Sequence, residues 1–86
     1  MVSTPTPIDE VRIGSVKAAI WRNQVGDDGA IRYNVTFGRL YRSDEDGQWK
    51  TTRSFDLNDL LVLSKLADQV HTRVYELREQ LARDDA

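Results

Sequence analysis

The chain has 86 residues, of which 40% are hydrophobic and 30% charged, which allows one compact domain with a modest core and leaves no room for a second. It has no cysteine, which excludes disulfides and cysteine-based sites. It also has neither an apolar stretch of the roughly 20 residues that a membrane span requires nor a signal-peptide pattern, so we expect a cytoplasmic protein. The formal charge of −2 argues against a nucleic-acid binder, although residues 11–58 hold eight bases and six acids, most of these acids lying in two candidate turns.

The N-terminal third of the chain predicts a flexible arm and the start of a sheet. Residues 1–10 contain both prolines and no apolar period, so we expect an arm there and place the folded domain at residues 11–86. Residues 11–23 are rich in strand formers and alternate, and Gly14 splits them into two strands or marks a bulge. Two glycines around two aspartates in residues 24–30 predict a hairpin turn.

The alternation continues over residues 31–42 but changes its parity at Gly38. A bulge at this glycine would move Leu40 to the core face, and it would bring Arg39 and Tyr41 to the polar face. An acidic turn with one glycine follows in residues 43–47, and residues 48–55 predict the last strand. The sequence therefore predicts a four-stranded antiparallel meander.

From Asn58 onwards the apolar period changes from two to about 3.5, which predicts a long C-terminal helix and an α+β (ββββα) fold. Asn58 is the expected N-cap. A helix of some 25 residues would overhang strands of ordinary length, so we expect its second half to meet the helix of a second copy. The predicted homodimer seam consists of Val70, Val74, Leu77 and Leu81.

No pattern of catalytic residues stands out. His71 is the only histidine, and the chain has no second residue with which it could form a metal site, no phosphate-binding glycine loop and no nucleophile elbow. We therefore expect neither an enzyme nor a cofactor.

The polar strand positions combine bases with aromatic residues. Cations can neutralise phosphates while aromatic rings stack on bases, a combination typical of single-strand binding. The alternative is that the tryptophans close the edge of the core and the bases protect a solvated face. The predicted nucleic-acid-binding residues are Lys17, Trp21, Arg22, Arg32, Arg39, Tyr41, Arg42, Trp49, Lys50 and Arg53.

Residues 39–50, with the sequence RLYRSDEDGQWK, resemble the central hairpin of the transcriptional coactivator family called positive cofactor four. An Arg-x-Tyr strand end, an acidic turn with one glycine and a following lysine recur in that family at this spacing. Further matches in the same order are Ile13-Gly14, Lys17, Arg22, Arg53, Phe55 and Leu57-Asn58.

The resemblance, which extends to the Whirly proteins, implies a curved four-stranded sheet with a C-terminal helix, dimerised through the helices and binding single-stranded DNA along the sheets. It thus implies a coactivator-like DNA-binding protein with little sequence preference, and RNA remains an open alternative ligand. Arg42 stands where the family has a tryptophan that contacts DNA, and Trp21 or Trp49 could take its place. A protein-interaction module of the same fold is the alternative function.

Overall fold

Alternating strand formers in the first part of the chain and a helical period in the last part fold into two layers, a sheet and a helix. The computed structural model describes residues 6–27 and 29–84. The sheet is antiparallel, with strands in chain order, and the predicted α+β fold with a four-stranded meander and one C-terminal helix is confirmed. The elements are β1 (Asp9–Ile13), β2 (Val16–Val25), β3 (Ala30–Arg42), β4 (Trp49–Thr52), a 3-10 turn (Leu57–Asp59) and the helix α1 (Leu60–Asp84).

The sheet begins earlier than the sequence predicted. Asp9 is paired with Ile20, and the backbone N of Ile8 donates to the carbonyl O of Ile20 over 2.8 Å. Acidic residues are poor strand formers, so backbone pairing with β2 and not side-chain propensity brings them into the sheet. The prediction of an arm over residues 1–10 is therefore wrong for its last residues, while residues 1–5 lie outside the described part of the chain.

Glycine allows the tight turn between the first two strands, as the sequence predicted. Gly14 has a φ of 59°, a left-handed conformation that costs little without a Cβ atom. β2 ends at Val25 and β3 begins at Ala30, so the second hairpin reverses within the predicted residues 24–30. Asp28 of that prediction lies outside the described residues.

Continuous strand pairing divides the sheet into two faces. β2 and β3 pair residue by residue over the whole of β2, and the ladder continues where the backbone N of Leu40 donates to the carbonyl O of Ser15. Side chains alternate between the faces, so cross-strand partners share one face. We call the side that carries α1 the helix face; it includes Val16, Ala18, Ile20, Val35 and Phe37. We call the other side the open face; it includes Lys17, Ala19, Trp21 and Thr36.

The expected bulge at Gly38 is absent, because the pairing runs through this residue without a break. Leu40 therefore lies on the open face, and Arg39 and Tyr41 lie on the helix face, the reverse of the prediction. Gly38 permits close packing, since a Cβ atom there would lie 2.8 Å from Cγ2 of Thr51. Glycine inside a strand can mark such an approach as well as a bulge.

The core lies between the helix and the first two strands. Its buried members are Val16, Ala18, Ile20, Leu66 and Val70. Val74 and Leu77 pack against this cluster, and Leu81 lines a cavity with Tyr33.

The predicted dimer seam is therefore wrong in its premise, because Val70 is only 2% exposed within a single chain. The strands of the second hairpin, β2 and β3, are longer than the ordinary strand length on which that prediction depended. β3 has 13 residues, which at about 3.3 Å per residue makes it as long as a helix of 25 residues at about 1.5 Å per residue. The sheet thus reaches under the second half of α1.

The start of the helix is capped by a residue other than the predicted one. Asn58 lies inside the 3-10 turn, whose N-cap is Asp56. Oδ2 of Asp59 accepts a hydrogen bond from the backbone N of Asp56 at 2.9 Å. The same carboxylate lies 3.2 Å from Nε of Arg39, which links β3 to the helix start.

Within the described residues, no helix is both long and apolar enough to cross a membrane.

Candidate nucleic-acid interface

The open face concentrates positive charge. Alternation puts the charged residues of β1 that point away from the helix, Glu10 and Arg12, on the same side as Lys17. Between residues 9 and 53, the described residues of this face include one acid, Glu10, and five bases: Arg12, Lys17, Arg32, Arg42 and Arg53. A chain with a net charge of −2 thus has one surface of opposite sign.

Both tryptophans lie on the open face, but their surroundings differ. Trp21, on the central strand β2, is half-buried, and its Nε1 donates to Oγ1 of Thr36 at 2.9 Å. Trp49 begins the edge strand β4 and is 68% exposed. The hydrogen bond fixes the plane of the Trp21 ring, whereas Trp49 has no such bond among the described residues.

A shallow basin lies between β2 and β4 on this face. Its volume is about 220 Å³. Its lining combines small residues, hydroxyl groups, one tryptophan, two cations and the helix-face residue Phe37 of the intervening strand β3: Lys17, Ala19, Trp21, Thr36, Phe37, Gly38, Thr51 and Arg53. The small residues leave the space that larger side chains would fill.

Six of the ten predicted binding residues share the open face: Lys17, Trp21, Arg32, Arg42, Trp49 and Arg53. The other four, Arg22, Arg39, Tyr41 and Lys50, lie on the helix face. Two of these four have ion-pair partners, since Arg39 contacts Asp59 and Nζ of Lys50 lies 3.6 Å from Asp46. The structure therefore does not bring all ten together.

Arg12 is the member of the basic face that sequence reasoning missed. Its Nε donates to the carbonyl O of Gly14 at 2.7 Å, which orients the guanidinium while its other N–H groups remain available. The signal was present in the sequence, because Glu10 and Arg12 alternate with Val11 and Ile13.

An ion pair ties β1 to the helix on the helix face. Nε of Arg73 lies 2.7 Å from Oδ2 of Asp9. This hydrogen bond and a second one from the backbone N of Glu10 hold the pKa of the Asp9 carboxyl below its ordinary value. The bond to Asp9, with one to Glu76, raises the pKa of the Arg73 guanidinium.

An apolar groove on the helix face remains uncovered. The helix packs over β1 and β2, which leaves the inner side of β3 open along one flank of α1. The groove has a volume of about 370 Å³ and is lined by Val35, Phe37, Ala67, Val70, His71, Val74, Tyr75 and Arg78. The ring of Tyr75 contacts both the ring of His71 and the guanidinium of Arg78. In the described residues no group of three or more acidic or histidine side chains could hold a metal ion.

Comparisons of the chain with protein-family models, with curated proteins and with solved structures found no match. Function must therefore be inferred from the residues of this chain and their geometry.

Proposed function

We propose that the protein binds single-stranded nucleic acid, in the first instance DNA, across the open face, and that it does so without catalysis or a cofactor. The observation that carries this proposal is the segregation of charge, with five bases and one acid on the face that also holds both tryptophans. Cations attract the phosphates, and aromatic rings stack on bases at about 1–3 kcal/mol each.

The shape of the face favours a single strand over a duplex. Readers of B-DNA insert a helix or a β-ribbon into the major groove, but the only long helix in the described residues packs on the opposite side of the sheet. A sheet surface exposes its aromatic rings to bases that are already unpaired. Phosphate contacts carry no sequence information, so the proposed binding has little sequence preference.

The sequence resemblance supports a coactivator-like role for this binding. We propose the cytoplasm as its location, because a chain without cysteine suits a reducing compartment.

The direct test is a titration of a labelled single strand and of the corresponding duplex at two salt concentrations. We expect the single strand to bind more tightly and its affinity to fall with salt. The absence of single-strand binding at low salt would overturn the proposal.

We further propose that the protein is a homodimer in which a second copy covers the apolar groove along α1. An uncovered apolar groove beside an exposed Tyr75 supports this surface, which shares Val70 and Val74 with the predicted seam but not Leu77 and Leu81. Ala67→Asp with Tyr75→Asp places two charges in the groove at helix positions that are exposed in a single chain. The charges should oppose a second copy without unfolding the chain, so we expect a folded monomer in sedimentation. Thr72→Asp, on the outer side of the helix, is the control and should remain dimeric. A monomeric wild type at micromolar concentration would contradict this assembly.

A protein-interaction module is the second candidate, and one observation favours it. Leu57 and Leu61 at the helix start are 83% and 84% exposed, and Leu60 beside them is also exposed. Such a cluster can anchor a protein partner. Heparin retention at low salt distinguishes the two functions, because only the concentrated basic face overcomes the repulsion of a net negative chain. Failure to bind heparin would favour the interaction module.

A further inference from the structure

The basin on the open face has the size of a single ring system. Pockets for drug-sized ligands usually measure about 300–1,000 Å³, whereas this basin measures about 220 Å³. It lies beside the central strand, where Ala19 and Gly38 provide a floor without bulky side chains. A basin of this size can therefore admit one planar group.

The walls of the basin match the chemistry of one nucleotide. Trp21 provides an aromatic plane whose orientation is fixed by its hydrogen bond to Thr36. Lys17 and Arg53 provide positive charge at the same site, and neither has an ion-pair partner among the described residues. An aromatic plane with two free cations suits a base and the phosphates on either side of it.

We propose that one unstacked nucleobase enters this basin and lies against the ring of Trp21, while its flanking phosphates contact Lys17 and Arg53. This inference rests on the proposed function and deepens it, because it assigns base contact to one site on the face. Trp21 is held in place before binding, so less conformational freedom is lost than at the exposed Trp49.

The basin selects for the presence of a base and not for its identity. The Thr36 hydroxyl accepts from Trp21 and keeps its own hydrogen for donation, and the hydroxyl of Thr51 can donate or accept. Hydroxyl groups rotate to suit the partner, so any base edge can be accommodated. Polynucleotides of all four bases should therefore bind similarly at this site.

The test compares two probes of equal length and charge, a labelled thymidine oligonucleotide and the same sugar–phosphate chain without bases. Wild-type protein should bind the thymidine probe more tightly by about 5- to 150-fold, the factor expected from stacking of one base. Ala19→Leu fills the basin from its floor and should reduce this ratio towards one by weakening the binding of the thymidine probe. Ala82→Leu, the same change at an exposed helix position, is the matched control and should retain the wild-type ratio.

A second variant, Trp21→Leu, removes the aromatic wall and should lower the same ratio, so the test does not depend on the folding of one variant. If both variants bind the thymidine probe as tightly as wild type, no base enters the basin, and the inference fails while the proposed function stands. If wild type binds neither probe, the proposed function fails and the inference fails with it.

Discussion

Two cations of the open face, Lys17 and Arg53, offer the sharpest test of where a nucleic acid lies. Both line the basin, and neither forms an ion pair in the described residues. The double change Lys17→Ala with Arg53→Ala therefore removes two positive charges without leaving an acid unpaired. We expect weaker binding with a flatter dependence on salt.

The magnitude follows from the number of cations on the face. If all five open-face bases contact phosphates, the slope of log affinity against log salt is about −3.5 for a single strand, and the loss of two contacts changes it to about −2.1. Between about 50 and 200 mM salt, affinity should then fall about 130-fold for wild type and about 20-fold for the double variant.

The matched control lies on the helix face. Arg22→Ala with Lys50→Ala removes the same charge from residues that the sequence also predicted for binding but that point away from the open face. Fluorescence anisotropy with a labelled thymidine oligonucleotide of about 12 nucleotides measures both slopes. We expect the control slope to equal that of wild type. Equal flattening by the two double variants would refute the assignment of binding to the open face.

Three further predictions concern the fold that supports the face. Asp59→Ala should cost about 1–2 kcal/mol in chemical denaturation, since it removes both the hydrogen bond from the backbone N of the N-cap residue Asp56 and the contact with Arg39. Asn58→Ala should have almost no effect, and equal costs would contradict the helix boundary. Leu66→Ala empties a fully buried position and should cost about 2–5 kcal/mol, so a cost below 1 kcal/mol would contradict the packing of α1 on the sheet. Because the pKa of Asp9 is lower in the folded than in the unfolded chain, the ion pair of this carboxylate stabilises the fold fully above the unfolded pKa of about 3.9, and this stabilisation is lost as the pH falls through the folded pKa. Asp9→Asn should therefore flatten the acid side of the curve of unfolding free energy against pH. An unchanged curve would argue against this ion pair.

Six of the ten predicted binding residues share the open face, because alternation is a local property of a strand. The positions of Lys17 and Trp21 follow directly from the apolar residues on either side of them. Arg39 and Tyr41 could not be placed in the same way, because their face depends on whether Gly38 adds a residue to the ladder. A one-residue shift moves every later side chain to the other face, so one ambiguous glycine reversed the assignment of this strand end.

The sequence by itself determined the kind and order of the elements, since the glycine turns and the change of apolar period from Asn58 onwards are set by neighbouring residues. Only the tertiary structure decided how far β2 and β3 extend along the helix, and with it the burial of Val70 within a single chain. It also decided that Arg12 shares a face with Arg53, although 40 positions separate them in the chain. The face of the sheet on which a side chain lies, and whether the helix covers it, depend on pairing between strands that are distant in the sequence. Local periodicity does not encode that pairing.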